Sequence, residues 1–203
     1  MSEPIILGKV LPVVGLRELV YAPVVTDTGD GTVYGDVKQV QGVQGLNFTP
    51  QSAQTQSYGD DATFCIVNAS GDADGEVDVN TIPPEMAVDW FGHKLDANGA
   101  LVESPDDQVH DIAIGFRAAK SSGGDKLVWL YKCTPSTPEK AFKGKEGSSV
   151  TIQGSKIKFK ATARTSDRNT YISIDSDTTG LAASVIVNWT KAVYSPTTTK
   201  TTT

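Results

Sequence analysis

Between Lys38 and Lys94 the chain carries no basic residue at all. It is also poor in the residues that do chemistry. Its two histidines, His93 and His110, fall neither in an HExxH pattern nor at i,i+4 to a second ligand, which excludes a helical zinc site. The two cysteines, Cys65 and Cys133, lie far apart with no CxxC partner. Two buried free thiols are the expected use of them, with a disulfide as the other possibility. GxSxG, a phosphate-binding Walker loop and a Rossmann glycine run are all missing. No apolar run approaches the ~18 residues of a membrane-spanning helix. The opening MSEPIILGKVLPVVG has an apolar stretch, but Glu3 precedes it, Lys9 and Pro12 break it, and no basic region leads it. It is not expected to be an export signal, so residence in the cytoplasm is expected.

What is present is 203 residues, enough for one domain with a core or for one domain plus arms. The charge is divided along the chain. Residues 1–111 hold 18 acids and 4 Lys/Arg, whereas residues 112–203 hold 6 acids and 14 Lys/Arg. A chain split this way predicts opposite potentials on different faces, which favour head-to-tail contacts that close into rings or grow into filaments. The competing expectation is that the two signs mix on the folded surface. The basic set from Lys140 to Arg168 is not read as a nucleic-acid site. The pI is 4.9, stacking aromatics near it are few, and Lys156, Lys158 and Lys160 alternate with Ile157 and Phe159 as on a half-buried strand.

Pattern predicts a mainly β protein, a β-sandwich or barrel with one or two short helices. Residues 1–14 form an arm, 15–194 a single domain, and the Thr-rich 195–203 a flexible tail. Strands are expected at 16–26, with Pro23 at an edge or bulge, and at 36–48, bent at Gly42 and Gly45. Asp30-Gly31 and Asn98-Gly99 signal hairpins. The stretch TPQSAQTQSYGDD (49–61) has almost nothing to bury and is expected to be a long exposed, projecting loop. Two strands, 62–68 and 75–81, follow around a Ser-Gly-Asp turn; in the second, Val77 and Val79 alternate with Glu76 and Asp78. Residues 83–91 read as a helix, with Pro83-Pro84 at its start, Glu85 in the first turn and Gly92 after its end. Further strands are expected near 109–119, 126–134, 137–143, 149–163 and 169–174. A second helix at 181–190 competes with a strand because of its β-branched residues.

Candidate metal, catalytic and cofactor residues do not emerge. His93 reads as a histidine at a helix terminus bonded to backbone or a loop carboxylate. His110, beside Asp106, Asp107 and Asp111, reads as part of an ordinary turn rather than a metal cluster. TGDGTVYGD (28–36) lacks the spaced ligands and terminal Glu of a calcium loop. Gly115 inside a strand signals close backbone packing.

The blocks YGDD (58–61), PPEMAVDWFGHKLD (83–96), LVESPDDQ (101–108), AIGF (113–116) and VWLYK (128–132) carry the chain's most distinctive wording. In this order and at this length the chain resembles the major tail tube protein of long, non-contractile-tailed bacteriophages, from about Val14 to Trp189. The resemblance implies a β-sandwich flanked by a helix, closed into hexameric rings that stack into the tube conducting DNA from capsid to host. It implies self-association, contacts with tape measure, tail terminator and distal tail proteins, passage of double-stranded DNA without specific binding, no cofactor and no membrane. The place implied is the virion tail, assembled in the host cytoplasm. Gln51, Gln54, Gln56, Tyr58, Asp60 and Asp61 become candidates for ring stacking, Tyr58, Asp60 and Asp61 matching the family's tyrosine-acid-acid wording. Asp74, Glu76 and Asp78 become candidate lumen acids that repel phosphate, with solvent-facing carboxylates as the other use. Ile5, Ile6, Leu7 and Trp189 become candidate subunit contacts. Within the span of the resemblance the segment 163–180, rich in Ser, Thr and Asp, does not align, and the tail TTTKTTT is not part of the family core. The competing class is an extracellular carbohydrate-binding or adhesive β-sandwich, which predicts an export signal and exposed aromatics in a groove. An enzyme on a β scaffold needs a polar constellation that the sequence does not contain.

Overall fold

The computed structural model describes residues 11–59, 62–121, 123–140 and 154–196. Eleven strands and two short helices follow in order: β1 (Val13–Thr28), β2 (Gly31–Tyr34), β3 (Lys38–Val40), β4 (Val43–Gly59), β5 (Ala62–Val79), α1 (Pro84–Phe91), β6 (Lys94–Leu95), β7 (Leu101–Val102), β8 (Ile112–Lys120), β9 (Asp125–Pro135), β10 (Ser155–Ala161), β11 (Tyr171–Asp175) and α2 (Ala183–Asn188). All strand pairs are antiparallel. The main sheet runs β2-β1-β8-β9-β10-β5-β4, with β3 added to β1 and β11 added to β9, while β6 and β7 form a separate hairpin.

The centre is β1–β8–β9, and its sequence explains why. Leu19, Val20, Tyr21 and Ala22 are all buried, so both faces of β1 are covered, and β8 and β9 read as near-continuous apolar runs. On one face Leu19, Tyr21, Ile112, Ile114, Phe116, Val128 and Leu130 meet Val77, Val79, Ile157, Phe159 and Ala161 from β5 and β10. Since strands of one continuous sheet share this core, the sheet folds back on itself as a β-sandwich. Helix α1 joins the same core with Met86, Ala87, Trp90 and Phe91, and Tyr21 meets the Trp90 ring edge-on at 5.6 Å.

On the other face a smaller core gathers Val20, Ala113, Leu127, Trp129, Tyr131 and Trp189. Here the C-terminal segment is laid across the sheet as a strap. Trp129 Nε1 donates to the Trp189 carbonyl at 3.0 Å, and the Tyr131 hydroxyl donates to the Tyr194 carbonyl at 2.9 Å. Trp189 stacks on Tyr194 at 5.3 Å.

Local signals decide the boundaries. Helix α1 starts after Pro83 with Glu85 in its first turn, and it ends at Gly92 in the left-handed region (φ 72°), whose N–H bonds the Val88 carbonyl. A side chain at Gly92 would also strike the Gln108 carbonyl. At Gly115 a Cβ would lie 2.6 Å from the Trp129 ring, the close packing expected of that glycine. Pro23 is where β1 changes partner, from β8 before it to β2 after it. The Asn98-Gly99 hairpin is present, with Asp96 Oδ1 accepting from the amides of Asn98 and Ala100.

Three expectations are corrected. Residues 49–59 are not a loop but the second half of β4, paired through Gly59↔Ala62. The Ser70-Gly71-Asp72 signal is no turn: β5 runs through it, with a bulge where Pro50↔Ala73 gives way to Ser52↔Ser70. No strand covers 136–140, and 141–143 lie outside the described residues. The competition at 181–190 resolves as the short helix α2.

Candidate assembly surface

The β4–β5 hairpin has two halves. In the inner half β5 lies between two partners, and each rung of three residues alternates in direction. Leu46↔Val77↔Ile157 and Phe48↔Gly75↔Phe159 point to the core. Asn47↔Glu76↔Lys158 and Thr49↔Asp74↔Lys160 take the opposite face, as does Lys156 opposite Asp78. The candidate lumen acids Asp74, Glu76 and Asp78 therefore do share a face, but they share it with three lysines. Lys156 reaches Glu76 at 2.8 Å and Asp78 at 3.2 Å, and Lys160 reaches Asp72 at 3.3 Å. The hydrogen bond from Lys156 holds the Glu76 carboxyl below its ordinary value, and the bond to Glu76 holds the Lys156 amine above its own. This is a mixed-charge ladder, not an acidic wall.

In the outer half, from Pro50 to Gly59 and back to Asp72, β4 and β5 pair only with each other among the described residues. Gln51 is exposed and donates to Asp74 at 3.2 Å across the junction. Gln54, Gln56 and Tyr58 stand opposite Asn68, Ile66 and Thr63 on the arm. Asp60 and Asp61 lie outside the described residues, as do Ile5, Ile6 and Leu7. Trp189 requires correction as a subunit contact: it is fully buried under the strap, so its indole is spent within its own chain.

The division of charge along the sequence does not become a division of faces. Carboxylates of the first half repeatedly meet cations of the second. Lys132 bonds Asp27 at 2.9 Å, Arg117 bonds Glu18 at 3.4 Å, Lys140 bonds Glu103, and Lys156 joins Glu76 and Asp78. Asp27 is the most embedded of these. Burial pushes its carboxyl up, but bonds from Lys132, from the Thr165 amide and hydroxyl, and from Thr32 outweigh burial and hold it at about 2. It ties the end of β1 to β9 and to the 162–170 connection.

The remaining singled-out residues have structural partners. His93 Nδ1 lies 2.8 Å from Asp107 in a buried pair, and Asp107 is held low first by the Ser104 amide and then by His93. His110 Nδ1 lies 3.1 Å from the Asp89 carbonyl. Cys133 is a buried free thiol whose pKa burial raises; the Cys65 side chain is outside the described residues. Among the described residues, no group of three His, Cys, Asp or Glu side chains is gathered as metal ligands, and no helix is long and apolar enough to cross a membrane.

Sequence reasoning missed one feature. A groove of about 530 Å³ opens at the far end of β1, lined by Pro23–Asp27, by Val88 and Asp89 of α1, and by Val109–Asp111. Val25 and Val109 are 62% and 40% exposed there. The apolar residues Val24-Val25 just after Pro23 are the only trace of it in the sequence, because the groove is made by three separate segments.

Neither the known protein families nor the curated proteins compared with this chain include one that matches it.

Proposed function

We propose that this chain is a virion structural protein that assembles as stacked rings, six subunits to a ring, into the tail tube of a long, non-contractile-tailed bacteriophage. The observation that carries the proposal is the β4–β5 hairpin, which continues about ten residues past its last contact with β10 and, among the described residues, has unpaired strand edges on both sides. An isolated two-stranded ribbon is marginal in water, and an unpaired edge is a template for another chain. Pairing with neighbouring copies removes both defects. The resemblance to tail tube proteins supplies the geometry: copies join edge to edge within a ring, and the arm, carrying Gln51, Gln54, Gln56 and Tyr58, stacks one ring on the next.

The ladder of Asp74, Glu76, Asp78 and their lysines is the proposed DNA-facing surface. Its alternating signs leave little net field within a Debye length of the wall, so a passing phosphate backbone is neither held nor strongly repelled. A bare lysine row would bind DNA with strong salt dependence and slow the genome. The carbohydrate-binding alternative needs exposed rings; Trp90, Trp129 and Trp189 are fully buried, and Tyr171 is an exposed one.

The test is negative-stain electron microscopy with light scattering on concentrated protein. Hollow tubes or six-fold rings are expected. Replacing 53–69 by Asn-Gly, which closes the hairpin at the Ser52↔Ser70 pair, should leave a folded subunit that no longer stacks. A chain that stays monomeric and also fails to enter phage tails in a complementation assay overturns the proposal.

A further inference from the structure

The groove at the far end of β1 needs an occupant, and the chain's own topology identifies one. We propose that it receives the Ile5–Leu7 segment of a second copy of this chain. The inference rests on the self-assembly proposed above and adds a specific docking site to it.

Four observations lead there. First, the groove offers apolar surface: Val25 and Val109 stand exposed in its lining, with Pro23, Val24 and Val88 beside them. Its volume of about 530 Å³ suits a few aliphatic side chains rather than a whole helix. Second, Ile5-Ile6-Leu7 is the apolar run among the ten residues that precede Leu11.

Third, reach excludes docking within one chain. The described residues begin at the opposite end of β1, where the Ser121 amide bonds the Pro12 carbonyl at 2.9 Å and Val13 pairs with Lys120. From Val13, a fully extended chain carries Leu7 at most ~22 Å and Ile5 at most ~29 Å. The register with β8 sets the span, because two bulges in β1 let Lys120 to Ile112 match Val13 to Pro23: ~27 Å, with Val25 ~7 Å beyond. Ile5 fully extended therefore only meets the Pro23 rim, and Ile6 and Leu7 fall short, so the three cannot seat together in their own groove. In a head-to-tail stack the segment points toward the groove end of the next copy, a heterologous contact that propagates.

Fourth, the rim charge fits. Asp27, Asp89 and Asp111 face the groove, while Lys38 bonds Asp89 at 2.6 Å and Lys132 serves both Asp27 and Asp111. Three carboxylates share two lysines, so docking places Lys9, two residues after Leu7, at this rim and Glu3, two residues before Ile5, away from it.

The experiment uses a fluorescent peptide of residues 1–10 titrated into protein that lacks those residues. Saturable binding is expected, weakened at least tenfold by Val25→Asp or Val109→Asp, each checked by thermal melting for an intact fold. Absence of saturable binding, or binding indifferent to both substitutions, overturns the inference. A second arm mixes full-length Ile6→Cys protein with full-length Val109→Cys protein under a short thiol cross-linker, with Val187→Cys on α2 as control. A cross-link between the Ile6→Cys and Val109→Cys chains is expected. Equal linkage to the control, or linkage of the two positions only when both are placed in one chain, overturns it. The two proposals fail separately. Rings that form while the peptide does not bind remove this docking site alone, and peptide binding without rings or tail incorporation removes the tail tube and leaves a simple exchange of arms between copies.

Discussion

From Val43 to Thr49, β4 lies on β5, β5 lies on β10, and Val77, Val79, Ile157 and Phe159 drive the inner side chains into a closed core. From Pro50 to Gly59 the same strand pairs, among the described residues, with β5 alone. The backbone is strand throughout, but the grounds differ. The inner half is fixed by burial, at about 25 cal/mol for each Å² of apolar surface removed from water. The outer half is fixed by ladder hydrogen bonds, each worth only about 1 kcal/mol net. The subunit therefore keeps its stability in one place and its means of association in another, and altering the second need not cost the first.

That division can be broken most forcefully at Val77. Val77→Asp places an unpaired carboxylate in the core and should cost roughly 3–5 kcal/mol by urea denaturation. Thr55→Asp, on the arm, should shift the subunit's unfolding midpoint by no more than about 0.5 kcal/mol while suppressing tube formation. Equal losses at the two positions would erase the distinction.

A charged version of the contrast sets Asp27 against the ladder. Asp27→Asn removes the charge facing Lys132 and one of the two oxygens that accept from Lys132, Thr165 and Thr32, and should cost about 2 kcal/mol at pH 7. The folded carboxyl sits at about 2 and the ordinary value is 3.8, so the stabilisation is full above the ordinary value and is lost as pH falls through the folded one. The wild-type and Asn proteins should converge in thermal midpoint near pH 2.

Amide exchange sharpens the comparison further. Amides of Val77 and Ile157 should exchange only by global unfolding, whereas those of 54–58 should exchange by local opening in the free subunit and become protected on assembly. The smallest effect is expected at the ladder itself. Lys156→Ala should leave the denaturation midpoint of the subunit unmoved, since its ion pairs are solvated. Its effect should appear instead as stronger acidity of that face, read as elution at higher salt from an anion exchanger.

Helix α1 was legible because every signal agreed: two prolines at its start, Glu85 in its first turn, a left-handed glycine after it, and an apolar stripe through Met86 and Trp90. The buried strands β8 and β9 declared themselves by apolar content. The arm did not, because TPQSAQTQSYG carries no alternation; its extended form comes from pairing with β5, a partner that local pattern does not identify. Ser70-Gly71-Asp72 looked like a turn because a bulge uses the same residue types. The acidic stripe of Asp74, Glu76 and Asp78 was read correctly as one face. Its lysines arrive from about 80 residues downstream, so their register was beyond reach of the sequence. Trp189 stands as an interface candidate only through the resemblance; as part of the strap it packs against Trp129 and Tyr131 and is buried within its own chain.

The partnership of β1 with β8 sets a timetable. Val13 is synthesised about a hundred residues before Lys120, its partner. At ~5–20 residues per second, β1 waits on the order of 5–20 s on the ribosome for its neighbour. Its far end, at Thr28↔Gly31, can close at once with β2, a pairing that forms in microseconds. β2 and, at Leu19 to Tyr21, β3 give the newborn strand local mates on one edge, while its other edge and the side chains of Leu19 to Ala22 stay uncovered until β8 and the core arrive. Crowded synthesis is therefore when this chain is most at risk of joining the wrong copy, before it is able to join the right one.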